Sequence, residues 1–394
     1  MPTIPRIDAL HAEMTAWRRD LHAHPETAFE EARTSDFVAE KLSSFGVEVH
    51  RGLAKTGVVG TLRAGSGRRA IGLRADMDAL HVHEANTFAH RSRNEGRMHA
   101  CGHDGHTTML LGAARHLAET RAFDGTVHFI FQPAEENEGG GRVMVEDGLF
   151  EKFPVEAVFG MHNWPGIPAG QLAVMPGIMM ASFDIFEIKI TGRGAHAGMP
   201  HHGVDAIVAG SALVQALQAI VSRGVSPVDA AVVSVTQFHA GDTWNVLPDE
   251  VTLRGSARAL KPEVQALVEG AMRRVCDGVA AAHGCQVTMR YERRYPPIIN
   301  TPKEVAMAIA AMTQVIGADK VLTDIQPTMG AEDFAFMLRE RPGAYVWLGN
   351  GVAGESRMLH NPGYDFNDEI LPIGASYWVT LVEQTLSKGA LDSP

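Results

Sequence analysis

The sequence predicts an α/β fold, in which a catalytic domain with a mixed, mostly parallel sheet flanked by helices carries an inserted ferredoxin-like domain. In the first part of the chain, short apolar strands alternate with helix-like stretches, which is typical of a largely buried sheet. Between about 183 and 295 the order becomes strand, helix, strand, strand, helix, strand, a βαββαβ pattern that is complete in itself. The chain then returns to the first pattern, so the βαββαβ segment reads as an insertion.

The elements of the first part follow from hydrophobic periodicity and from turn residues. Helices are predicted over about 7–22, 33–45, 104–118 and 141–147, and strands over about 47–50, 57–63, 69–74, 126–131 and 155–161. Asp104 is predicted to cap the third helix. The sequence Ala-Gly-Ser-Gly at 64–67 favours a hairpin turn between the strands on either side of it.

The inserted part and the return segment follow from the same rules. Strands are predicted over about 183–190, 230–238, 250–258 and 285–291, with helices over about 205–221 and 262–282. The return segment has a helix over about 302–315, a strand over 344–348 and a terminal helix over 368–386. We therefore predict a catalytic domain over 1–182 and 296–394 and a satellite dimerisation domain over 183–295.

Composition limits the possible partners. The 394 residues are enough for two domains, and a net charge of −11 argues against binding to nucleic acid or to an anionic membrane surface. We expect no secretory signal at the N-terminus and no stretch near the roughly 20 apolar residues of a membrane span. The three cysteines are too few for a disulfide framework and favour a reducing compartment, so a cytoplasmic location is expected.

The most informative stretch is Met-His-Ala-Cys-Gly-His-Asp at 98–104, where Cys101 and His103 offer a thiol and an imidazole two residues apart. Further metal-competent side chains each follow an apolar run: Glu135, Glu136, His162 and His360. Strand ends that deliver such side chains to one place are how an α/β enzyme builds a metal site. The set predicts a hydrolase with one or two divalent metal ions.

Cys101 alone could be a core thiol, a nucleophile or a metal ligand. Its place next to a predicted helix N-terminus favours a lowered thiol pKa. A nucleophile would not explain the two glutamates, whereas a bridging metal thiolate would.

Glu135 and Glu136 follow a buried strand and the turn Gln132-Pro133. Adjacent side chains on extended backbone point to opposite sides, so we expect the two carboxylates to have different roles, one as a metal ligand and one as a general base. Two solvated loop acids remain the alternative.

Several other polar residues could have a structural role instead of a functional one. His162 and His360 could each be structural, because the chain has 19 histidines. In the insertion, His196 lies in a Gly-rich turn, Asn245 follows Trp244, and Arg258 ends a strand. Such residues suit recognition of an anion, but they could also be ordinary loop polars.

Taken together, the motifs resemble the aminoacylase/carboxypeptidase family of co-catalytic metallopeptidases, and within it the branch of hippurate hydrolases and plant auxin-conjugate (IAA-amino acid) amidohydrolases. The matching motifs are RRDLHAHPE at 18–26, RADMDAL at 74–80, MHACGHD at 98–104, FQPAEE at 131–136, GAHA at 194–197, MGAEDF at 329–334 and HNP at 360–362. One departure is His81, where the family usually has proline.

The resemblance implies a role for each matched residue. Two divalent ions, zinc or manganese, would be held by Cys101, His103, Glu136, His162 and His360, with the Cys101 thiolate between them. It also implies Glu135 as general base and a satellite domain that forms a homodimer or a dimer of dimers. His196 would then polarise the scissile carbonyl in the partner's site, and Asn245 and Arg258 would contact the substrate carboxylate.

The predicted activity is hydrolysis of small N-acyl amino acids of the hippurate type. Four alternatives remain open: a dipeptidase, a carboxypeptidase with the same metals, a non-catalytic binding protein, and a thiol enzyme that uses Cys101. The sequence does not specify the acyl group, the amino acid or the metal.

Overall fold

The computed structural model describes residues 3–136, 138–352 and 357–387. The chain divides into two units. The first unit comprises 1–177, 299–326 and 333–394, and the second comprises 178–298 and 327–332. The roles predicted for the two sequence ranges, catalysis and dimerisation, stay predictions.

Strands and helices alternate through most of the chain. The strands are β1 (Glu48–Leu53), β2 (Gly57–Ala64), β3 (Ala70–Asp76), β4 (Gly125–Gln132), β5 (Ala157–Pro165), β6 (Leu172–Ala173), β7 (Gly177–Met180), β8 (Phe183–Thr191), β9 (Ala195–His196), β10 (Ala231–Ala240), β11 (Val246–Leu247), β12 (Glu250–Ala259), β13 (Gln286–Tyr295), β14 (Ile298–Asn300), β15 (Val321–Leu322) and β16 (Gly343–Gly351). The helices are α1 (Pro5–Asp8), α2 (His11–Ala23), α3 (Ala32–Ser44), α4 (His103–Thr120), α5 (Gly140–Glu146), α6 (Leu149–Lys152), α7 (Ala206–Ala219), α8 (Pro262–His283), α9 (Pro302–Ile316), α10 (Ala335–Glu340) and α11 (Leu371–Thr385).

The first unit is built on an eight-stranded sheet with the order β1-β2-β4-β3-β5-β16-β6-β15. The neighbours from β4 to β16 run parallel, while β1, β2 and the β16–β6 pair add antiparallel contacts. The central strands are buried along nearly their whole length, because helices cover the sheet. The predicted mixed, mostly parallel sheet with flanking helices is confirmed.

Three adjacent parallel strands, β4, β3 and β5, end at the same edge of this sheet. In the β3–β4 ladder Asp76 lies opposite Gln132, and in the β3–β5 ladder Arg74 lies opposite Gly160. The residues that follow β3 and β4 therefore emerge beside His162 of β5. This edge is where an open α/β sheet usually places its site.

The hairpin predicted at 64–67 is wrong. Strands β2 and β3 flank that turn, but each pairs with β4, which lies between them. The turn is instead held by Asp124, whose Oδ1 accepts the backbone N–H groups of Ser66 and Gly67 at 2.6 Å. A turn signal is local, so it could not indicate that a later strand is inserted between its two neighbours.

The second unit has the βαββαβ order β8, α7, β10, β12, α8, β13. Its four long strands form an antiparallel sheet with the order β10-β12-β8-β13, which is the ferredoxin-like arrangement. Helices α7 and α8 cover one face through side chains that include Leu213, Leu217 and Met272, against Phe186 and Ile188 of the central strand. Strand β10 is an edge of this sheet and has β12 as its sheet neighbour.

The sequence led us to expect no stretch as long and apolar as a membrane-spanning helix, and helix α7 with the turn after it tests this expectation. By length and composition alone, the 19-residue stretch Ala206–Gly224 is apolar enough to cross a membrane, so that expectation is wrong on those criteria. A third of the stretch is buried, and its inner face packs on the sheet of the second unit while Ser211 and Gln215 are exposed. This is the arrangement of an amphipathic helix that covers a sheet.

Candidate metal centre

Cys101 lies at the turn into helix α4, which begins at His103. The predicted cap at Asp104 is wrong, because the N-cap residue is Gly102, with a φ of 92°. A Cβ atom on Gly102 would lie 2.2 Å from Asn163 Oδ1, so this turn requires glycine. The Asp104 carboxylate instead lies 2.8 Å from Nδ1 of the buried His22.

His103 and His162 present the same ring nitrogen to one place. Nδ1 of His103 lies 2.9 Å from the backbone oxygen of Asp78, and Nδ1 of His162 lies 2.6 Å from that of Asn163. A backbone oxygen only accepts, so both rings carry a proton on Nδ1, and Nε2 is the nitrogen of each ring that would bind a metal ion after losing any proton it carries. His162 Nε2 lies 3.3 Å from Cys101 Sγ.

Two groups of side chains each bring their candidate ligand atoms within 4.8 Å of one another, and the sulfur of Cys101 belongs to both. The first group is Cys101, His103 and His162, and the second is Cys101, Glu136 and His360. If each group held a metal ion, Cys101 would belong to both sites.

His360 reaches this place through an unusual backbone. Its φ is 65°, in the left-handed region that non-glycine residues rarely adopt, and its N–H donates to the Ala100 carbonyl at 2.7 Å. Its Nε2 lies 3.1 Å from Glu136 Oε1, and this charged contact raises the pKa of His360 and lowers that of Glu136 despite the burial of Glu136. Backbone strain of this kind is often found at functional sites.

Glu135 and Glu136 do not lie on extended backbone. They form a turn after Ala134, which has a φ of 55°, and candidate ligand atoms of His103, Glu135 and Glu136 lie within 4.8 Å of one another. The expected opposite orientation is therefore wrong, and any difference between the two roles must come from their other contacts. Glu136 lies beside His360 and Cys101, whereas Glu135 is absent from the two groups that share the sulfur.

The expectation of a lowered pKa for the Cys101 thiol is also wrong for the protein by itself. Burial raises this pKa well above its usual value, and the carboxylates of Glu136 and Glu135 raise it further. The helix N-terminus does not outweigh them. A divalent cation beside the sulfur would reverse the balance, because a coordinated thiol is deprotonated.

The residues present fit metal ions. Nε2 of His103 is buried, has no hydrogen-bond partner among the described residues and belongs to the group with Cys101 and His162, so it is available to a metal ion there. Although burial opposes a charge, the carboxylates of Asp76, Asp78 and Glu136 raise the pKa of His103 to about 10. A buried pocket with this excess of carboxylate needs positive charge to balance it.

The sequence did not predict a role for the buried polar residues that lie next to the candidate ligands. Asp78 holds His103, while His106 lies 2.6 Å from Asp76 Oδ1 through Nδ1 and 2.7 Å from Asn163 Oδ1 through Nε2. The available signal was an aspartate at the end of β3, Asp76, and another two residues later, Asp78, because carboxylates commonly orient metal-binding histidines. The motif that contains both aspartates was recognised, but its spacing does not indicate which histidine ring each aspartate contacts.

The other three predicted residues belong to the second unit. His196 lies in β9, opposite Val246 of β11, and is exposed. Asn245 is also exposed, and its carbonyl accepts the Ala197 N–H at 2.9 Å. The Arg258 guanidinium stacks 4.0 Å from the centre of the Phe183 ring, and burial lowers its pKa.

The chain matches peptidase family M20/M25/M40 over residues 72–384, and it therefore belongs to this family. It is 42% identical over 381 residues to the hippurate hydrolase of Campylobacter jejuni, covering 97% of this chain and 98% of that protein. It is 44% identical over 297 residues to an N-acyl-L-amino acid amidohydrolase of Geobacillus stearothermophilus, covering 75% and 80%.

Among solved structures, the YXEP protein of Bacillus subtilis, described as a dinuclear metal-binding peptidase of the M20 family, is similar with a TM-score of 0.84. The two share 34% identity over 96% of this chain and 99% of that chain. The family predicted from the motifs, and its hippurate hydrolase branch, are confirmed. The roles of the individual site residues stay predictions.

Proposed function

We propose that this protein is a metal-dependent amidohydrolase that cleaves the amide bond of N-acyl amino acids, releasing a carboxylic acid and a free amino acid. Two relatives carry names for this chemistry at 42% and 44% identity, and hippurate is itself an N-acyl glycine. The structural observation that carries the proposal is the sulfur shared by two candidate ligand groups, with the Glu135 carboxylate beside them.

In this proposal two divalent ions, zinc or manganese, bind at the two groups. Both metals accept the mixed sulfur, nitrogen and oxygen donors found there, and the similar YXEP structure is of a dinuclear metal-binding protein. The proposed ligands are Cys101, His103, Glu136, His162 and His360. When bound, such ions lower the pKa of water and polarise a carbonyl.

Glu135 is the proposed general base. Its carboxylate takes a proton from the attacking water and passes it to the leaving amine nitrogen as the amide bond breaks. The near-complete burial of Glu135 supports this role, because a dry site keeps the proton transfer from being lost to bulk water. Glu136 is assigned to metal binding instead, because it lies against His360 and Cys101.

The second unit supplies the proposed substrate contacts. His196 would donate a hydrogen bond to the oxyanion that develops on the scissile carbonyl of a substrate held by the partner subunit. Asn245 and Arg258 would bind the substrate carboxylate, for which the planar guanidinium is geometrically suited. The exposure of His196 supports a role outside its own fold.

A homodimer, or a dimer of dimers, is the proposed assembly. Apolar side chains are exposed close to His196 along the β9–β11 ladder and its turns: Trp244 is fully exposed, and Val246 and Met199 are each more than 40% exposed. Large exposed apolar groups of this kind mark contact surfaces. A cytoplasmic location is proposed as well, supported by three free thiols, of which Cys101 must stay reduced to bind metal.

The test is amino-acid release from a panel of N-acyl amino acids and dipeptides, measured as purified, after chelation, and after addition of Mn²⁺ or Zn²⁺. We expect release from N-acyl amino acids that chelation abolishes and metal restores. Release from dipeptides alone would favour a dipeptidase of the same family. No release from any compound, with metal confirmed as bound, would contradict the proposal and favour a binding role.

A further inference from the structure

The backbone just before Glu135 is held in a conformation that it would not adopt freely. Ala134 has a φ of 55°, in the left-handed region that non-glycine residues rarely adopt. Its N–H donates to Oε1 of Glu31 at 2.9 Å. A side chain far away in sequence therefore fixes the residue that precedes the proposed base.

The Glu31 carboxylate is fully buried and accepts two more hydrogen bonds. Its Oε1 accepts the Phe29 N–H at 3.0 Å, and its Oε2 accepts the Thr56 hydroxyl at 2.6 Å. Phe29 is also left-handed, with a φ of 60°, and Thr56 follows the left-handed Ala54 and Lys55. One carboxylate thus joins three strained turns, which is more than a solvated acid or a helix cap would do.

The amide on the other side of Glu135 is held in the same way. The Glu136 N–H donates to Asp78 Oδ2 at 2.9 Å. The backbone of the proposed base is therefore tied on both sides, to Glu31 before it and to Asp78 after it. Asp78 also holds His103, whereas the described contacts of Glu31 include none with a proposed metal ligand.

We propose that Glu31 is a positioning residue that fixes the Glu135 carboxylate in its working orientation. This inference rests on the proposed function of Glu135 as general base. It predicts that Glu31 affects turnover and leaves metal binding and substrate affinity nearly unchanged. A displacement of about 1 Å at a catalytic group can cost about 100-fold in rate.

The role requires acceptor oxygens at this point and does not require a full negative charge. Burial raises the pKa of Glu31 to about 7, and the Asp78 carboxylate raises it as well, so the charged form is not strongly favoured. In Glu31→Gln, Oε1 can still accept both backbone N–H groups, and Nε2 can donate to the Thr56 hydroxyl. In Glu31→Ala all three hydrogen bonds are lost.

The experiment compares Glu31→Ala, Glu31→Gln and a control, Glu26→Ala, in kcat, KM and bound metal. Glu26 lies in the same segment, but its carboxylate accepts the Arg33 and Thr34 N–H groups at the start of α3. We expect Glu31→Ala to lower kcat by about 10- to 100-fold, with KM and metal content within about twofold. Glu31→Gln should recover most of kcat, and Glu26→Ala should keep kcat while lowering stability.

A double-mutant cycle with Glu135→Gln separates positioning from a general effect. If Glu31 acts through Glu135, removing it should not slow the residual rate of Glu135→Gln further. An equal loss in both backgrounds, an unchanged kcat in Glu31→Ala, or a loss of metal in proportion to kcat would each overturn the inference. Near-normal turnover in Glu135→Gln itself would instead overturn the proposed base.

If Glu31→Ala does not fold, Glu31→Asp provides the second test. Aspartate keeps a carboxylate but is one methylene shorter, so its oxygens no longer reach the Ala134 N–H that Glu31 accepts at 2.9 Å. The inference then expects a lower kcat with KM and metal unchanged, and an unaltered kcat would contradict it.

Discussion

The candidate metal centre of the first unit and the short β9–β11 ladder that carries His196 in the second unit differ in how their polar groups are held. In the metal centre, His103, His162 and the amides around Glu135 each have a partner that fixes them. In the β9–β11 ladder, His196 is exposed on a two-residue strand, and the exposed Asn245 lies in the turn directly before β11. The first region is built before any ligand arrives, whereas the second can act only on something outside its own fold.

The largest expected effect is a loss of kcat on changing Glu135 in the candidate metal centre. Glu135→Gln should lower kcat by about 10²–10⁴-fold, the usual contribution of a general base, while metal content stays near that of the unaltered protein. Activity on an N-acyl amino acid and metal analysis on the same sample check this. Loss of metal would show that the roles of Glu135 and Glu136 are exchanged.

A change at the exposed His196 should also lower kcat, but this loss should be partly reversed in mixed dimers. His196→Ala should lower kcat by about 100-fold, as for loss of one oxyanion donor, and exposed His201→Ala serves as its control. Mixing His196→Ala with Glu135→Ala chains should restore roughly a quarter of the original activity on random pairing, because one site in each mixed dimer is complete. Absence of any recovery would contradict a shared site.

A smaller effect is expected on assembly. Replacing the fully exposed Trp244 with serine should weaken the proposed dimer by at least about 2 kcal/mol, or roughly 30-fold in the dissociation constant. Sedimentation over a dilution series measures this, with Val228→Ser as an exposed apolar control on a different loop. Equal behaviour of both variants would exclude the turn before β11 from the contact surface.

The last prediction concerns stability rather than activity or assembly, at a buried histidine without a proposed function. Burial lowers the pKa of His128 to about 4, and Arg63 lowers it as well, while Thr61 Oγ1 lies 2.9 Å from its Nδ1. The folded protein therefore binds this proton less readily than the unfolded chain does. Stability from this group is present above about pH 6.5 and is lost as the pH falls towards 4, by up to about 3 kcal/mol.

Urea unfolding at pH 7.5 and pH 5 checks this sign. The loss of stability between the two values should be smaller in His128→Asn, while the exposed His239→Asn should behave like the unaltered protein. An equal pH dependence in all three would show that His128 does not contribute.

Sequence reasoning worked where a local pattern determines the structure. Apolar periodicity located the sheet of the first unit and the βαββαβ order of the second, because burial of one face leaves a period in the sequence. The positions of Cys101, His103 and His162 could be placed together because parallel strands end at one edge. The motifs also identified the family.

Predictions from the sequence failed where strand pairing, a pKa or a turn conformation depends on residues that are distant in the chain. Nothing near 64–67 indicates that β4 lies between β2 and β3. The pKa of Cys101 depends on carboxylates that follow another strand, and the turn at Glu135 depends on the left-handed Ala134 and on Glu31. The contact between Ala134 and Glu31 joins residues 103 positions apart, and contacts of this kind leave no periodic trace.

The insertion of the second unit affects how the protein is made. In the sheet, β5 lies between β3 and β16, but β16 and His360 are synthesised only after the whole second unit. At roughly 5–20 residues per second, the roughly 200 residues between His162 and His360 take about 10–40 s to appear. During that interval a ribosome-bound chain has one unpaired edge on β5 and lacks the histidine that completes the second ligand group, so aggregation and premature metal capture are hazards of its synthesis.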